Sequence, residues 1–194
     1  MGWGEYFTLL EAGASGGQMP DVFWMHSTVA ELYMSNDMLL KLDDYIAKDN
    51  VDMSNYYQDI VDMYSYNGSV YAMPKDHDTI ALLYNKTIFD QYNVEYPSEN
   101  WTWEDFYNAG KTITEASGGQ TYGYSADVGN NQDGWWNLVY DFGGHIISED
   151  KKTSGMDDPK TLEAMNFLAK IIEDVMPPQS VISETGGGTL FNSG

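Results

Sequence analysis

The chain has 194 residues, of which 42% are hydrophobic and 14% aromatic, and this composition supports a packed core and excludes a disordered chain. Its net charge is −21, from 30 acidic and 9 basic residues. Such a surface repels phosphate backbones and anionic lipids, so we predict no binding of nucleic acid or of a membrane surface. Cysteine is absent, which excludes disulfide bonds and cysteine-ligated metal sites.

The first fifty residues predict helices around one short strand. Apolar residues at helical spacing predict a helix over 5–13 and two shorter helices over 29–34 and 37–48. Four apolar residues at 22–25 follow a Pro-Asp pair, and a short apolar run of this kind predicts a buried strand.

The middle of the chain predicts a hairpin and two further strands. The pair Asn67-Gly68 favours the positive φ angles of a tight type I′ turn, so residues 66–74 are predicted to form a hairpin. The continuous apolar run at 80–84 predicts a strand that is buried on both faces. Residues 121–125 also predict a strand.

Two longer helices are predicted in the second half. Thr102 is a good N-cap for the first, and Asp105 makes it a near match to a capping box. The second begins at Asp158, followed by a proline that the first turn tolerates, and ends at 177–178. Strands that alternate with helices indicate the α/β class. The predicted buried stripe of the second helix is Leu162, Met165, Leu168, Ile172 and Val175.

Three phrases of the sequence carry a family resemblance. They lie at 17–24, at 66–74 with Tyr-Asn-Lys following at 84–86, and at 101–106. Together with Gly-Gly at 143–144 and the Phe-Asn-Ser-Gly ending, they resemble the family 1 extracellular solute-binding proteins of carbohydrate ABC importers. Maltose-binding protein is the familiar member, and the phrases stand in the family's order over nearly the whole chain.

The resemblance implies a two-lobed, periplasmic-binding-protein-like fold of type II, with two α/β lobes and the ligand in the cleft between them. Residues 1–78 are expected in the first (N-terminal) lobe and residues 79–194 in the second (C-terminal) lobe, with a hinge near 75–80. The family chain is longer, so we expect a fold that is incomplete at both ends.

The chemistry of sugars indicates which residues to examine. A neutral sugar offers an apolar C–H face to aromatic rings and hydroxyl groups to carboxylates or amides. This mixture of residue types occurs at 24–28 and again at 133–136. Both stretches are therefore candidates for ligand contact.

The first candidate stretch holds Trp24, His26 and Ser27. By resemblance, Trp24 matches an aromatic residue that contacts sugar in maltose-binding protein, although a tryptophan in a strand more often lies in the core. Ser27 and Thr28 stand where that protein has Asp and Arg, so maltose itself is not implied. His26 is equally compatible with a ligand contact and with a hydrogen-bonded residue at the end of a strand.

The second stretch holds Asp133, Trp135 and Trp136. We expect one ring in the cleft and one in the core, with Trp136 as the cleft residue by resemblance. Asp133 is either a partner for a sugar hydroxyl or a helix cap. Asp78 lies where the resemblance places the first crossing between lobes, and it matches a Glu that hydrogen-bonds ligand; the alternative is an exposed loop carboxylate.

Other functional classes stay open from the residues alone. A glycoside hydrolase or other carbohydrate-active enzyme also combines aromatic rings with paired acids, but no acid-pair motif is evident, and we predict a chain that is not an enzyme. The excess of acidic residues favours cationic ligands, so a polyamine is an alternative ligand. A peptide is another alternative. His26, His77 and His145 are scattered, so we predict no metal site and no cofactor.

The remaining expectations follow from the resemblance. The partners would be a sugar or oligosaccharide and the membrane permease subunits of an ABC transporter. The protein would be a monomer located outside the cell, as a lipoprotein anchored to the outer face of the membrane or as a periplasmic protein.

Overall fold

The computed structural model describes residues 2–129 and 131–193, with the backbone alone at Asp133. Its contacts divide the chain into two compact units, Met1–Thr79 (unit 1) and Ile80–Gly194 (unit 2). The assignment of these units to the two lobes of the family stays a prediction. The α-helices of unit 1 are α1 (Trp3–Gly16), α2 (Ser27–Ser35), α3 (Asp43–Lys48) and α4 (Gln58–Met63). Those of unit 2 are α5 (Lys86–Gln91), α6 (Trp103–Ala116), α7 (Asn137–Asp141), α8 (Pro159–Val175), α9 (Gln179–Thr185) and α10 (Gly187–Ser193).

Helix α2 is the centre of unit 1. Its Tyr33 is buried against Phe7 and Leu10 of α1, and two other buried residues of the same helix, Ala30 and Met34, pack against a cluster that includes Tyr71. Packing on two sides fixes the helix in place, and with it the N-terminal end that carries His26 and Ser27.

The predicted turn at Asn67-Gly68 is confirmed, but the hairpin ends at Val70 rather than at residue 74. Strand β1 (Ser65–Tyr66) pairs antiparallel with β2 (Ser69–Val70). The two turn residues between them take positive φ angles, +49° at Asn67 and +78° at Gly68. This is the left-handed conformation for which an Asn-Gly pair is suited.

Both predicted helix starts in unit 2 are also confirmed. Thr102 caps α6 by accepting a hydrogen bond from the backbone N–H of Asp105 (3.2 Å), whose carboxylate accepts one from the backbone N–H of Thr102 (2.9 Å). Asp158 caps α8 through the backbone N–H groups of Lys160 and Thr161. These caps satisfy N–H groups that have no partner within the helix.

The buried stripe of α8 differs from the predicted one. Leu162 is 49% exposed, whereas Thr161 is fully buried. Thr161 Oγ1 donates to the backbone oxygen of His145 and accepts from the backbone N–H of His145, so its polar atom is paired inside the core. A hydrophobic pattern cannot reveal a buried threonine of this kind. The buried residues of the helix are Thr161, Ala164, Leu168, Ile171 and Val175.

The predicted strands at 22–25, 80–84 and 121–125 are wrong for the described structure, in which β1 and β2 form a two-stranded sheet. Val22 is 90% exposed and Leu83 is 73% exposed, so neither lies in a core. A strand exists only where a second segment completes its hydrogen-bond ladder. The backbone N–H of Tyr124 donates to the backbone oxygen of Val175 (3.0 Å), yet no strand ladder forms on these three segments within the described residues.

The helices of unit 1 also depart from prediction in their bounds. Helix α1 extends three residues beyond the predicted end, to a left-handed cap at Gly17 (φ +65°). The predicted helix over 37–48 is reduced to α3 (Asp43–Lys48), and Asp37, its first predicted residue, takes a φ of +54°, which lies outside the helical range. Within the described ranges, no helix combines the length and the apolar character needed to cross a membrane.

Candidate ligand-binding site

Trp24 lies on the surface of unit 1, in an extended segment that a single tyrosine holds. The backbone N–H of Trp24 donates to Tyr6 Oη at 2.9 Å, and the Tyr6 hydroxyl donates to the backbone oxygen of Trp24 at 2.8 Å. The residue is 65% exposed, so the alternative of a core position is wrong. The tyrosine fixes the backbone and leaves the indole ring to make contacts outside the core.

A cation covers part of the Trp24 ring. Lys75 Nζ lies 3.7 Å from the ring centroid, close enough for a cation–π interaction. The same ammonium forms an ion pair with Asp76. Burial, and after it the charge of Asp76, raises the pKa of Tyr64. The Tyr64 hydroxyl donates to the backbone oxygen of Met25, the residue that follows Trp24.

His26 and Ser27 lie at the start of α2, and the imidazole of His26 caps that helix. His26 Nδ1 accepts a hydrogen bond from the backbone N–H of Thr28 (3.3 Å) and lies 2.8 Å from its hydroxyl oxygen. The edge of the ring meets Trp3, with 4.7 Å between ring centroids. Ser27 is half-buried. One imidazole nitrogen thus has a structural role; ligand contact by either residue stays a prediction.

Asp78 is exposed in the irregular segment that follows the hairpin. Its neighbour His77 packs edge-on against Tyr57, with 5.1 Å between ring centroids. No hydrogen bond or ion pair joins Asp78 to the rest of the described chain. The carboxylate is therefore free to accept a ligand hydroxyl, and that role stays a prediction.

The tryptophan pair of unit 2 lies in a π-helical turn, Gln132–Trp136, which continues into α7. The two rings meet edge to face, with centroids 6.4 Å apart. Trp135 packs against the core cluster that contains Leu138 and Leu168. Trp136 Nε1 is buried without an acceptor among the described residues, so a ligand would reach this atom only if side chains moved. The predicted contact by Asp133 falls on a side chain outside those described.

Gly134 explains why the π-helical turn can form between these rings. A Cβ at this position would lie 2.7 Å from the backbone oxygen of Asp127. That oxygen is part of the main chain and cannot rotate away, so a larger residue would displace the turn. The glycine thereby fixes the positions of the two tryptophans that follow it.

The comparison with known proteins decides the family. A profile of the family described as bacterial extracellular solute-binding protein matches residues 1–194. The chain belongs to this family. Its members are binding proteins rather than enzymes, and the family is extracellular.

Individual solute-binding proteins show how far the similarity extends. The maltotriose-binding protein of Pyrococcus abyssi is 24% identical over 170 residues, which are 87% of this chain and 35% of that protein. An ABC substrate-binding protein of Listeria monocytogenes, solved in complex with cycloalternan, is 28% identical with a TM-score of 0.83, over 95% of this chain and 50% of that one.

A third relative extends the range of ligands. UgpB of Mycobacterium tuberculosis, solved in complex with glycerophosphocholine, is 22% identical with a TM-score of 0.78, over 90% of this chain and 46% of that one. The chain thus spans half or less of the length of these relatives. Their shared two-lobed type II fold confirms the predicted fold class.

A shallow groove of about 490 Å³ lies in unit 2, on the surface formed by α6 and α8. None of the predicted site residues lines it. No cluster of three or more possible metal ligands occurs among the described side chains. Of the predicted contacts, those around Trp24 in unit 1 are exposed, whereas Trp136 in unit 2 has a buried indole nitrogen. Ligand binding by either group stays a prediction.

The sequence analysis missed Lys75, Tyr6 and Tyr64. Lys75 is one of only 9 basic residues beside 30 acidic ones, and a rare cation next to a predicted ligand-binding segment was the available signal. Tyr6 and Tyr64 gave no such signal, because each acts through its hydroxyl on backbone groups 18 and 39 residues away in sequence.

Proposed function

We propose that this chain is part of the substrate-binding subunit of an ABC importer and that its ligand is a sugar or oligosaccharide. The observation that carries the proposal is the exposed ring of Trp24 with hydrogen-bonding groups around it. An aromatic face suits the C–H face of a sugar, and the neighbouring ammonium of Lys75 and carboxylate of Asp76 suit its hydroxyls.

The ligands of the relatives support a carbohydrate. The Pyrococcus relative is named for maltotriose, and the Listeria structure contains cycloalternan. UgpB instead holds glycerophosphocholine, so the fold does not fix the ligand class. The choice for this chain rests on its own exposed side chains around Trp24.

The partners and the location follow from an importer function. The permease subunits of the transporter would receive the ligand, the protein would act as a monomer, and it would be anchored by lipid to the outer face of the membrane or reside in the periplasm. Sedimentation of the purified chain tests the monomer, and the mass of the native protein tests the lipid.

Calorimetric titration tests the ligand class. The panel contains neutral oligosaccharides such as maltotriose and cycloalternan, simple monosaccharides, spermidine and a short peptide. We expect heat of binding with a neutral saccharide together with a change in tryptophan fluorescence. Binding of spermidine or peptide alone would overturn the proposal in favour of one of those ligands.

The same saccharides test the absence of catalysis. A binding protein returns its ligand unchanged, so chromatography after long incubation should recover all of the added oligosaccharide. Steady release of reducing ends, lost when a single Asp or Glu is replaced, would identify the chain as a glycoside hydrolase instead.

A further inference from the structure

We propose that Lys75 is a specificity-determining residue that excludes cationic ligands from the Trp24 surface by placing its own ammonium there. The proposal rests on the proposed function, in which Trp24 contacts the ligand. It goes further by assigning a role to a residue that neither the family resemblance nor the sequence pattern identified.

The geometry around Trp24 is that of an occupied ammonium site. The face of an indole ring attracts cations more strongly than that of any other side chain. A carboxylate beside the ring adds a second attraction. Here the Lys75 ammonium lies 3.7 Å from the ring centroid and pairs at the same time with Asp76. The cation is therefore part of the chain itself.

The net negative charge of the chain explains why an ammonium supplied by the chain itself would affect ligand specificity. The chain carries a net charge of −21, and its field concentrates small cations near the surface. An exposed indole beside a carboxylate would bind them. With Lys75 in place, an incoming cation meets a like charge at close range, whereas a neutral sugar meets none and can accept hydrogen bonds from the ammonium.

The side chain of Lys75 is 53% exposed, so its removal leaves no cavity in a core. In Lys75→Ala, Asp76 and the part of the ring that the ammonium covers both become available to an external cation. The variant should fold as the wild type does, which thermal unfolding checks. It should also gain a binding site for an external cation, because the Lys75 ammonium occupies that site in the wild type.

The test is titration of the wild type and of Lys75→Ala with choline and with spermidine. We expect the association constant for both cations to rise at least about tenfold in the variant, the scale of removing one close like charge near a surface. The affinity for a neutral saccharide should not rise, since the variant loses an ammonium that can donate hydrogen bonds to the sugar. Unchanged cation affinity would overturn the proposal.

Three controls make the result specific. Lys75→Arg keeps a cation available to the ring and should retain the wild-type preference. Lys48→Ala removes the same charge from unit 1 at an exposed position in α3 and should not raise cation affinity to the same degree. The double variant Lys75→Ala/Trp24→Ala should lose the gain. A gain that persists without the ring, or that appears in Lys48→Ala, would show a general charge effect and refute the proposal.

The two proposals fail in different ways. If the wild type binds no neutral saccharide, the proposed function is wrong, yet the cation titrations still measure whether Lys75 occupies the ring. If saccharide binds but Lys75→Ala gains nothing for cations, the sugar-binding function stands and the role of Lys75 is refuted.

Discussion

The two units use tryptophan in opposite ways. In unit 1, Trp24 is 65% exposed and its ring meets an ammonium. In unit 2, Trp135 packs against the helical core and Trp136 has a buried indole nitrogen. Both stretches combined aromatic rings with polar neighbours in the sequence. Composition alone therefore does not separate a binding surface from core packing, because the burial of each ring and its partners determine which of the two it forms.

The free energy of unfolding of two alanine variants gives the strongest test of this contrast. Trp135→Ala removes a ring that packs on the core of unit 2 and should lower the free energy of unfolding by about 3 kcal/mol. Trp24→Ala removes an exposed ring and should lower it by less than about 1 kcal/mol. Urea unfolding followed by circular dichroism measures both. Equal losses in the two variants would remove the distinction between the two rings.

Saccharide affinity gives a second test of the difference between the exposed Trp24 and the packed tryptophans of unit 2. Trp24→Ala should weaken saccharide binding by about 1–3 kcal/mol, the scale of losing an apolar stacking surface. Trp24→Phe keeps a smaller ring face and serves as the matched control, with an intermediate loss. Calorimetry gives both values. A Trp24→Ala variant that binds with wild-type affinity would place the ligand elsewhere.

Local features of the fold were predictable from sequence. The hairpin at Asn67-Gly68 and the caps at Thr102 and Asp158 depend on residues within a few positions of one another. Each pairs a particular side chain with a particular backbone conformation, so nearby sequence determines them. The same holds for the end of α8 ahead of two prolines.

Features that depend on distant partners were not predictable. The segments at 22–25 and 80–84 have the composition of strands, yet a strand requires a ladder that composition cannot supply. The stripe of α8 shifted because Thr161 is buried through hydrogen bonds to His145.

The candidate site also combines a feature that the sequence predicted with one that it did not. The exposed position of Trp24 agrees with the resemblance, whereas its contact with Lys75 joins residues 51 positions apart in the chain. A pattern of neighbouring residues cannot indicate a contact between residues so far apart in the sequence. Structure was therefore needed to find the residue on which the proposed exclusion of cations depends.

A weaker effect, the dependence of stability on acid pH, is expected from a polar cluster within unit 2. The hydrogen bond from the Tyr107 hydroxyl, and after it that from the Lys111 ammonium, lowers the pKa of Asp174. This cluster joins α6 to α8 beside their apolar contact. Because the pKa in the folded state lies below its ordinary value, the ionised carboxylate stabilises the fold above about pH 4. That contribution is lost as pH falls through the lowered folded-state pKa.

The variant Asp174→Asn isolates this contribution, since it keeps an oxygen that can accept from Tyr107 but removes the charge. The wild type should exceed the variant in unfolding free energy at pH 7, and the gap should close progressively below about pH 4. Asp76 provides the comparison in unit 1, where the ion pair with Lys75 lies on an exposed surface and Asp76→Asn should alter stability little because exposed pairs contribute little. A difference in unfolding free energy between the wild type and Asp174→Asn that does not change with pH would show that the carboxylate acts through its shape rather than its charge. The polar contact between α6 and α8 would then stabilise the fold through packing, as the apolar contact beside it does.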